Sequence, residues 1–436
     1  MKNIKKNIDN DAVKIICIHP PQYNSVDDRL DPPLGLMLIS KVLKRLNCDV
    51  KICDLSGISE ENWKIEYADI YALTVYTASY STAKKISTKC KEINPSAKVI
   101  AGGAFPSYYP ELFHSNNFFD ACVVGDGMEA VISLIKDYPK LDRVYEKEIG
   151  NDLDKYFFPD WDGINIHSYS RKLNTLPCLP IISTLGCAYN CNFCALFKTH
   201  KNIKKRSIKN IIDEISFLRD RFGNISLNFI DDIFTLDESR MRALTDEVSK
   251  FNISYRCMDH PRLASFEKYS QLKKTGCEII CFGIESGAPQ ILKSMNKNST
   301  VEQNAKAIEI AKNCGLTTRV FLIIGYPGET DETLLQTRKF IEAVKPHQVI
   351  ASNFIPFPGT RIWQDYEKYG ILYLSQDYDE YYQMDIYGQG GRPFIHRDLN
   401  LAQWKKMENK FRNWLKNYEQ KGYLQDYTKR FKESTI

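Results

Sequence analysis

Two series of alternating strand and helix patterns, separated by the aperiodic residues 139–178, constrain this 436-residue chain more than any other feature. In the first series, residues 14–19 read as a buried strand before Pro20 and Pro21. Leu36, Ile39, Val42, Leu43 and Leu46 then recur at helical spacing. Further strands are expected at 50–55, 70–75, 98–101 and 121–124, with an amphipathic helix over 81–93. Strands joined through helices make right-handed crossovers and a parallel sheet, so residues 1–138 form a doubly wound domain. Pro159, Trp161, Gly163 and Pro177 mark 139–178 as a linker. The second series spans 179–370, with strands expected at 179–184, 225–230, 253–258, 277–284, 317–324 and 348–354. Between them, Ile208, Ile211, Ile212, Ile215 and Leu218 form one apolar helical stripe. Periodicity does not decide between an open sheet and an incomplete barrel. Residues 371–436 read as a C-terminal extension with a helix near 401–418 and many tyrosines. Tyr378, Tyr381, Tyr382, Tyr387 and Trp404 either close over the mouth of the second domain or serve packing.

Composition narrows the function classes. With 43% hydrophobic and 26% charged residues the chain is a folded globular protein, and it has no apolar run of membrane-spanning length. The polar start Met1-Lys2-Asn3-Ile4-Lys5-Lys6 has no signal-peptide stretch, which points to the cytoplasm. A formal charge of +5 is small for this length, and the basic run from Lys201 to Arg206 reads as a solvated loop, so a nucleic-acid partner is not expected. The thirteen cysteines are too irregularly spaced for a disulfide scaffold.

Three of those cysteines stand apart. Cys187, Cys191 and Cys194 fall within eight residues, in the run Gly186-Cys-Ala-Tyr-Asn-Cys-Asn-Phe-Cys. Thiolates so close on one loop suit three corners of an iron-sulfur cubane and leave one iron open to a ligand. A zinc site completed by a distant His or Cys is the alternative. Cys257, Cys277, Cys281 and Cys314 lie on apolar strands or at a helix end and read as small buried residues.

Downstream, Ile230-Asp-Asp-Ile-Phe-Thr, Phe282-Gly-Ile-Glu-Ser-Gly, Ile324-Gly-Tyr-Pro-Gly-Glu-Thr and Pro356-Phe-Pro-Gly-Thr close successive strands. With the cysteine triplet, this set resembles the radical S-adenosylmethionine (radical SAM) superfamily, and most resembles its subgroup with an N-terminal cobalamin-binding-type domain. The resemblance runs from residue 14 to about 370. It implies an α/β chain: a Rossmann-like, doubly wound domain, then a partial (β/α)6 radical SAM barrel and a helical C-terminal tail. It further implies a [4Fe-4S] cluster on Cys187, Cys191 and Cys194, with S-adenosylmethionine on its open iron. Asp231 and Asp232 would accept from the ammonium of that cosubstrate, and Glu285 and Ser286 would bond its ribose or methionine groups. Gly325 would let backbone approach the adenine, and Phe193 would shield it.

Pro33, Leu34, Gly35, Gly102, Gly103 and Gly125 correspond to the cobalamin-facing loops. There are departures from the pattern: the Asp-x-His-x-x-Gly element is absent, Phe105 stands where His is frequent and Met128 where Glu is frequent. Residues 56–68 are also short for a helical crossover. The implied reaction is cobalamin-dependent methylation of an unactivated carbon or phosphorus in a small molecule, with an electron donor such as flavodoxin or ferredoxin. Alternatives are cobalamin-independent dehydration, epimerisation, cyclisation or rearrangement, tRNA modification, or a non-catalytic iron-sulfur protein. No catalytic side chain is assigned, because hydrogen abstraction by a carbon radical needs no protein base.

Overall fold

The computed structural model describes residues 12–156, 158–196, 202–383 and 390–420, and these divide into two compact units. One comprises the chain up to Tyr169 together with Asp377–Glu380. The other comprises Ser170–Gln376 and the chain from Tyr381 onward.

The first unit is a six-stranded parallel sheet in the order β2-β1-β3-β4-β5-β6, formed by Lys14–His19, Asp49–Asp54, Ile70–Thr74, Lys98–Gly102, Ala121–Val124 and Val144–Glu146 (β1 to β6 in chain order). Ile15, Ile16, Cys17 and Ile18 are all buried, as a strand covered on both faces requires. The helices are α1 (Leu34–Arg45), α2 (Tyr80–Ile93), α3 (Ala104–Tyr108), α4 (Pro110–His114) and α5 (Met128–Asp137). Strand order reverses between β1 and β3, which makes their carboxyl ends the switch point where such sheets take ligands.

The span 139–178 is structured. β6 extends the sheet, and the buried Asp160 carboxylate accepts from Ser40 Oγ and pairs with Lys44 Nζ, both at 2.6 Å, which pins it to α1. A three-residue edge strand with one buried side chain, Tyr145, carries no readable period. The 56–68 crossover has only a 3₁₀ turn at Glu60–Asn62, in keeping with its length. Tyr378 lies in this unit, its ring 4.8 Å from Phe105 and 5.6 Å from Tyr80, and so serves packing here. Tyr387 is outside the described residues.

The second unit is built on a seven-stranded sheet in the order β15-β14-β13-β12-β11-β8-β7. Its parallel strands are β8 (Leu176–Ile181), β11 (Ser226–Phe229), β12 (Tyr255–Asp259), β13 (Cys277–Glu285), β14 (Thr317–Ile324) and β15 (Gln348–Asn353). β7 (Lys172–Leu173) is an antiparallel hairpin partner of β8. β15 and β7 are the two edges, so the sheet curls into a half-barrel and does not close. Short strands β9 (Thr184–Leu185) and β10 (Lys204–Lys205) pair beside it. The helices are α6 (Ile208–Phe222), α7 (Glu238–Ser249), α8 (Phe266–Lys274), α9 (Pro289–Ser294), α10 (Val301–Asn313), α11 (Asp331–Val344) and α12 (Arg361–Gln364). A hairpin of β16 (Ile371–Leu374) with β17 (Phe394–His396) and the long α13 (Leu401–Gln420) complete the unit.

Alternation along β12 sets two faces. Tyr255 bonds Leu272 and Thr275, and Asp259 accepts from Tyr269, so these residues face α8; Arg256 and Met258 face the barrel interior. Among the described residues, no helix is long and apolar enough to cross a membrane.

Candidate functional site

The cysteine loop leaves the barrel after β8 and β9, turning at Gly186, whose φ of +103° is open to glycine but strained for other residues. Its middle is clamped to the end of α9. Asn192 N–H donates to Met295 O (2.9 Å), its side-chain amide to Ser294 O (2.8 Å), and Asn296 Nδ2 to Asn190 O (2.8 Å). Tyr189, two residues after the first cysteine, stacks on His260 at the end of β12, with ring centroids 3.9 Å apart. The loop is therefore held from a helix end and a strand end.

Cys187, Cys191 and Cys194 are all free thiols. Burial pushes all three upward in pKa, Cys194 to about 11. Neighbouring thiols add to the rise at Cys191 and Cys194, and Asp232 at Cys187 and Cys194, while Lys297 opposes it at Cys187 and Cys191. Among the described residues, no three His, Cys, Asp or Glu side chains converge as a preformed ligand set. The donor set nevertheless fits an iron-sulfur cluster: three unbridged thiols on one pinned loop, within electrostatic reach of one another and of a cation. Bound iron would stabilise the thiolates that burial disfavours.

That cation was not legible in the sequence. Lys297 is buried and its Nζ donates to Glu285 Oε1 at 2.9 Å. Burial works against its charge, but Glu285 and the thiols of Cys191 and Cys187 outweigh it and raise its pKa. Glu285 is held at φ +64°, where the β13–β14 register shifts by a bulge. A non-glycine residue in that region is strained, and such strain gathers at functional sites. Gly283 makes the pair possible: a Cβ there would lie 2.4 Å from Glu285 Oε1 and 2.8 Å from Lys297 Nζ.

The other expected residues divide. Asp231 is fully engaged in structure, accepting from the backbone N–H and hydroxyl of Ser183; burial raises its pKa to about 6. Asp232 is half-buried and in electrostatic reach of the thiols, and the helix that follows is capped by Asp237. The Ser286 hydroxyl is occupied by Thr337 and by Ala288 N–H. At Gly325, the space of the missing Cβ is filled by Trp404, whose ring would lie 2.6 Å from that atom. The room expected there for an adenine is thus taken by α13, because Trp404, a large apolar side chain, buries itself where Gly325 presents no side chain. Phe193 packs on the cluster of Ala288, Ile291, Met295 and Tyr326.

In the first unit, Pro33 and Leu34 are buried and start α1, whereas Gly35 is exposed. Among the described residues, Gly35 and Gly125 have nothing within 4 Å of where a Cβ would be, an open cradle beyond the strand ends. Gly103 has a structural reason instead, since a Cβ would meet Val75 N at 3.2 Å; Gly102 makes only ordinary contacts. His19, at the end of β1 and edge-on to Tyr76, is buried, with Nδ1 lacking a hydrogen-bond partner among the described residues. An orphaned nitrogen at the switch point and open glycines beyond the strand ends fit a bound corrinoid.

Comparison with known proteins agrees with this division. Residues 181–341 match the Radical SAM superfamily and residues 30–135 the B12 binding domain. An uncharacterized methyltransferase of Pyrococcus horikoshii is 27% identical over 406 residues, covering 86% of this chain and 87% of that protein. The anaerobic magnesium-protoporphyrin IX monomethyl ester cyclase of Rubrivivax gelatinosus is 24% identical over 406 residues, covering 83% of this chain and 73% of that protein. In fold, the cobalamin-dependent S-adenosylmethionine radical enzyme OxsB, solved with aqua-cobalamin bound, superposes with a TM-score of 0.71 at 15% identity, covering 94% of this chain and 67% of that one. With both domains matched, each on its own sheet and in chain order, the chain carries a B12 binding domain followed by a radical SAM domain on its half-barrel.

Proposed function

We propose that the protein is a cobalamin-dependent radical SAM methyltransferase acting on a carbon or phosphorus centre of a small molecule. The observation that carries this reading is the pinned loop of three free thiols beside the Glu285–Lys297 pair, in a chain whose other sheet is of B12-binding type. Cys187, Cys191 and Cys194 would hold the [4Fe-4S] cluster, and Gly35, Gly125 and His19 would line the cobalamin cradle with Pro33, Leu34, Gly102 and Gly103 shaping it. When bound, the cluster would supply the electron that cleaves one S-adenosylmethionine to methionine and a 5′-deoxyadenosyl radical, and cobalamin would carry a methyl group taken from another. The chain's own residues do the rest. Lys297 offsets the charge of the thiolates, Glu285 fixes Lys297, and Asp232 accepts from the cosubstrate's ammonium. Phe193 keeps the loop's last cysteine seated on an apolar base. A reducing, cytoplasmic setting with flavodoxin or ferredoxin as donor belongs to the same proposal.

The test is anaerobic reconstitution with iron, sulfide and cobalamin, followed by reduction in the presence of S-adenosylmethionine carrying a deuterated methyl group. Formation of 5′-deoxyadenosine and transfer of the labelled methyl to a product support the reading. The likeness to a cyclase favours a second one, radical ring closure, in which 5′-deoxyadenosine forms and the product gains no label.

A further inference from the structure

The floor of the half-barrel holds a charge that the cofactor chemistry leaves unexplained. Arg256, on the interior face of β12, is 92% buried, being 8% exposed. Among the described residues its Nε has no hydrogen-bond partner, and Nη2 reaches only Cys281 Sγ, at 3.2 Å. A thiol is a weak acceptor and does not replace the hydration of a guanidinium. The carboxylates on its own strand and on β13 are engaged elsewhere: Asp259 with Tyr269 and Thr235, Glu278 with Lys273, and Glu285 with Lys297. A second guanidinium adds to the charge, since Arg319 lies on β14 opposite Cys281 and donates to Gln348 Oε1 at 2.5 Å, both residues being buried. The surroundings are apolar, with Leu173, Cys178, Ile279 and Cys281 buried together. Met258 and Phe321, one step nearer the mouth, are only half-buried, so the interior is not packed shut above the arginine.

We infer that Arg256 is an anion-binding residue, which anchors a carboxylate or phosphate group at the end of an apolar substrate body inside the barrel. The guanidinium fork matches either group with two parallel hydrogen bonds, and an apolar wall strengthens them. The inference rests on the reading of the barrel as the substrate chamber of a radical SAM enzyme. It names the substrate class: an apolar molecule ending in an acid.

The experiment uses the reconstituted protein and two probes, butyrate and inorganic phosphate, titrated calorimetrically and by thermal melting. Wild type is expected to bind at least one probe saturably, at about one site per chain, with Tm rising alongside. Arg256→Met is expected to weaken that binding at least tenfold, and to melt at or above the wild-type temperature without probe, because an uncompensated charge is gone. Binding of butyrate alone assigns a carboxylate, and of phosphate alone a phosphate. If Arg256→Met does not fold, Arg256→Lys, which keeps the charge and loses the fork, replaces it with the same expectation of weaker binding. No saturable binding by wild type, or equal binding by the variant, overturns the inference. Wild-type 5′-deoxyadenosine formation, measured separately, decides the underlying reading, so the two failures are told apart.

Discussion

The two sheets offer their carboxyl ends to ligands in opposite ways. In the first unit the strand ends are built from backbone and open space, with Gly35 and Gly125 clear of the other described residues and one orphaned histidine nitrogen. In the second, the strand ends carry buried ions that already have partners, and the cysteine loop is clamped beside them. A flat, largely neutral macrocycle is recognised by fit, which glycines provide. A cluster and a zwitterionic cosubstrate are recognised by charge, which needs oriented ions. Similar α/β architecture thus serves two kinds of ligand through what sits on its loops.

The largest effect expected is at the cysteine loop. Cys191→Ala should reduce iron and sulfide after reconstitution to background and abolish 5′-deoxyadenosine formation, while the cobalamin absorbance of the same sample is retained. Loss of both signals together would break the division between the two units. Retention of full iron content would remove the triplet from the site.

Next comes the buried ion pair. Lys297→Met leaves Glu285 buried without its partner and should cost about 3–5 kcal/mol of stability in denaturant titrations. The double replacement with Glu285→Gln should recover most of that loss. A loss below about 1 kcal/mol, the range of surface pairs, would show that the pair is solvated and not part of a charge-organised site.

Glu329 tests the same end of the barrel through pH. Burial pushes its carboxyl up to about 8, against backbone donors from Gly325 and Tyr326. Below 4.5, the ordinary glutamate value, folded and unfolded chains both hold the proton. Between there and about 8 only the folded chain keeps it, so this residue's contribution to stability falls as pH rises across that window and levels off above it. Glu329→Gln should flatten that fall, whose slope is at most about 1.4 kcal/mol per pH unit. Parallel melting curves of variant and wild type across the window would show that the carboxyl is already ionised.

Much of this was legible in the sequence, and the exceptions have physical reasons. The buried strands announced themselves: 14–19, 70–75, 277–284 and 317–324 were expected within a residue or two of where they lie, because apolar runs bounded by turns have few other uses. The cysteine loop was legible because three thiols in eight residues have no packing explanation. Lys297 was not, since nothing in its local sequence says that a chain twelve residues past Glu285 folds back onto it. Asp231 and Asp232 look equivalent as a pair, yet only contact shows that Ser183 claims the first. Gly325 and Gly103 read as ligand glycines, whereas Trp404 and Val75 occupy the space beside them. A glycine records that something comes close; the sequence does not say whether that is a ligand or the protein itself.

The smallest effect separates those two meanings directly. Gly35 sits inside α1, exposed, with nothing within 4 Å of its absent Cβ. Alanine there suits a helix and restricts the unfolded chain, so Gly35→Ala should stabilise the fold by about 0.5–1 kcal/mol. Gly103 has φ +97° and Val75 N at 3.2 Å, so Gly103→Ala should destabilise it instead. The cobalamin titration should run differently from the melts: Gly35→Ala, the more stable protein, should bind cobalamin several-fold more weakly than wild type, because the added methyl intrudes on the cradle. If Gly35→Ala gains stability and binds cobalamin unchanged, the open glycine is surface and the first sheet does not recognise its ligand through that loop.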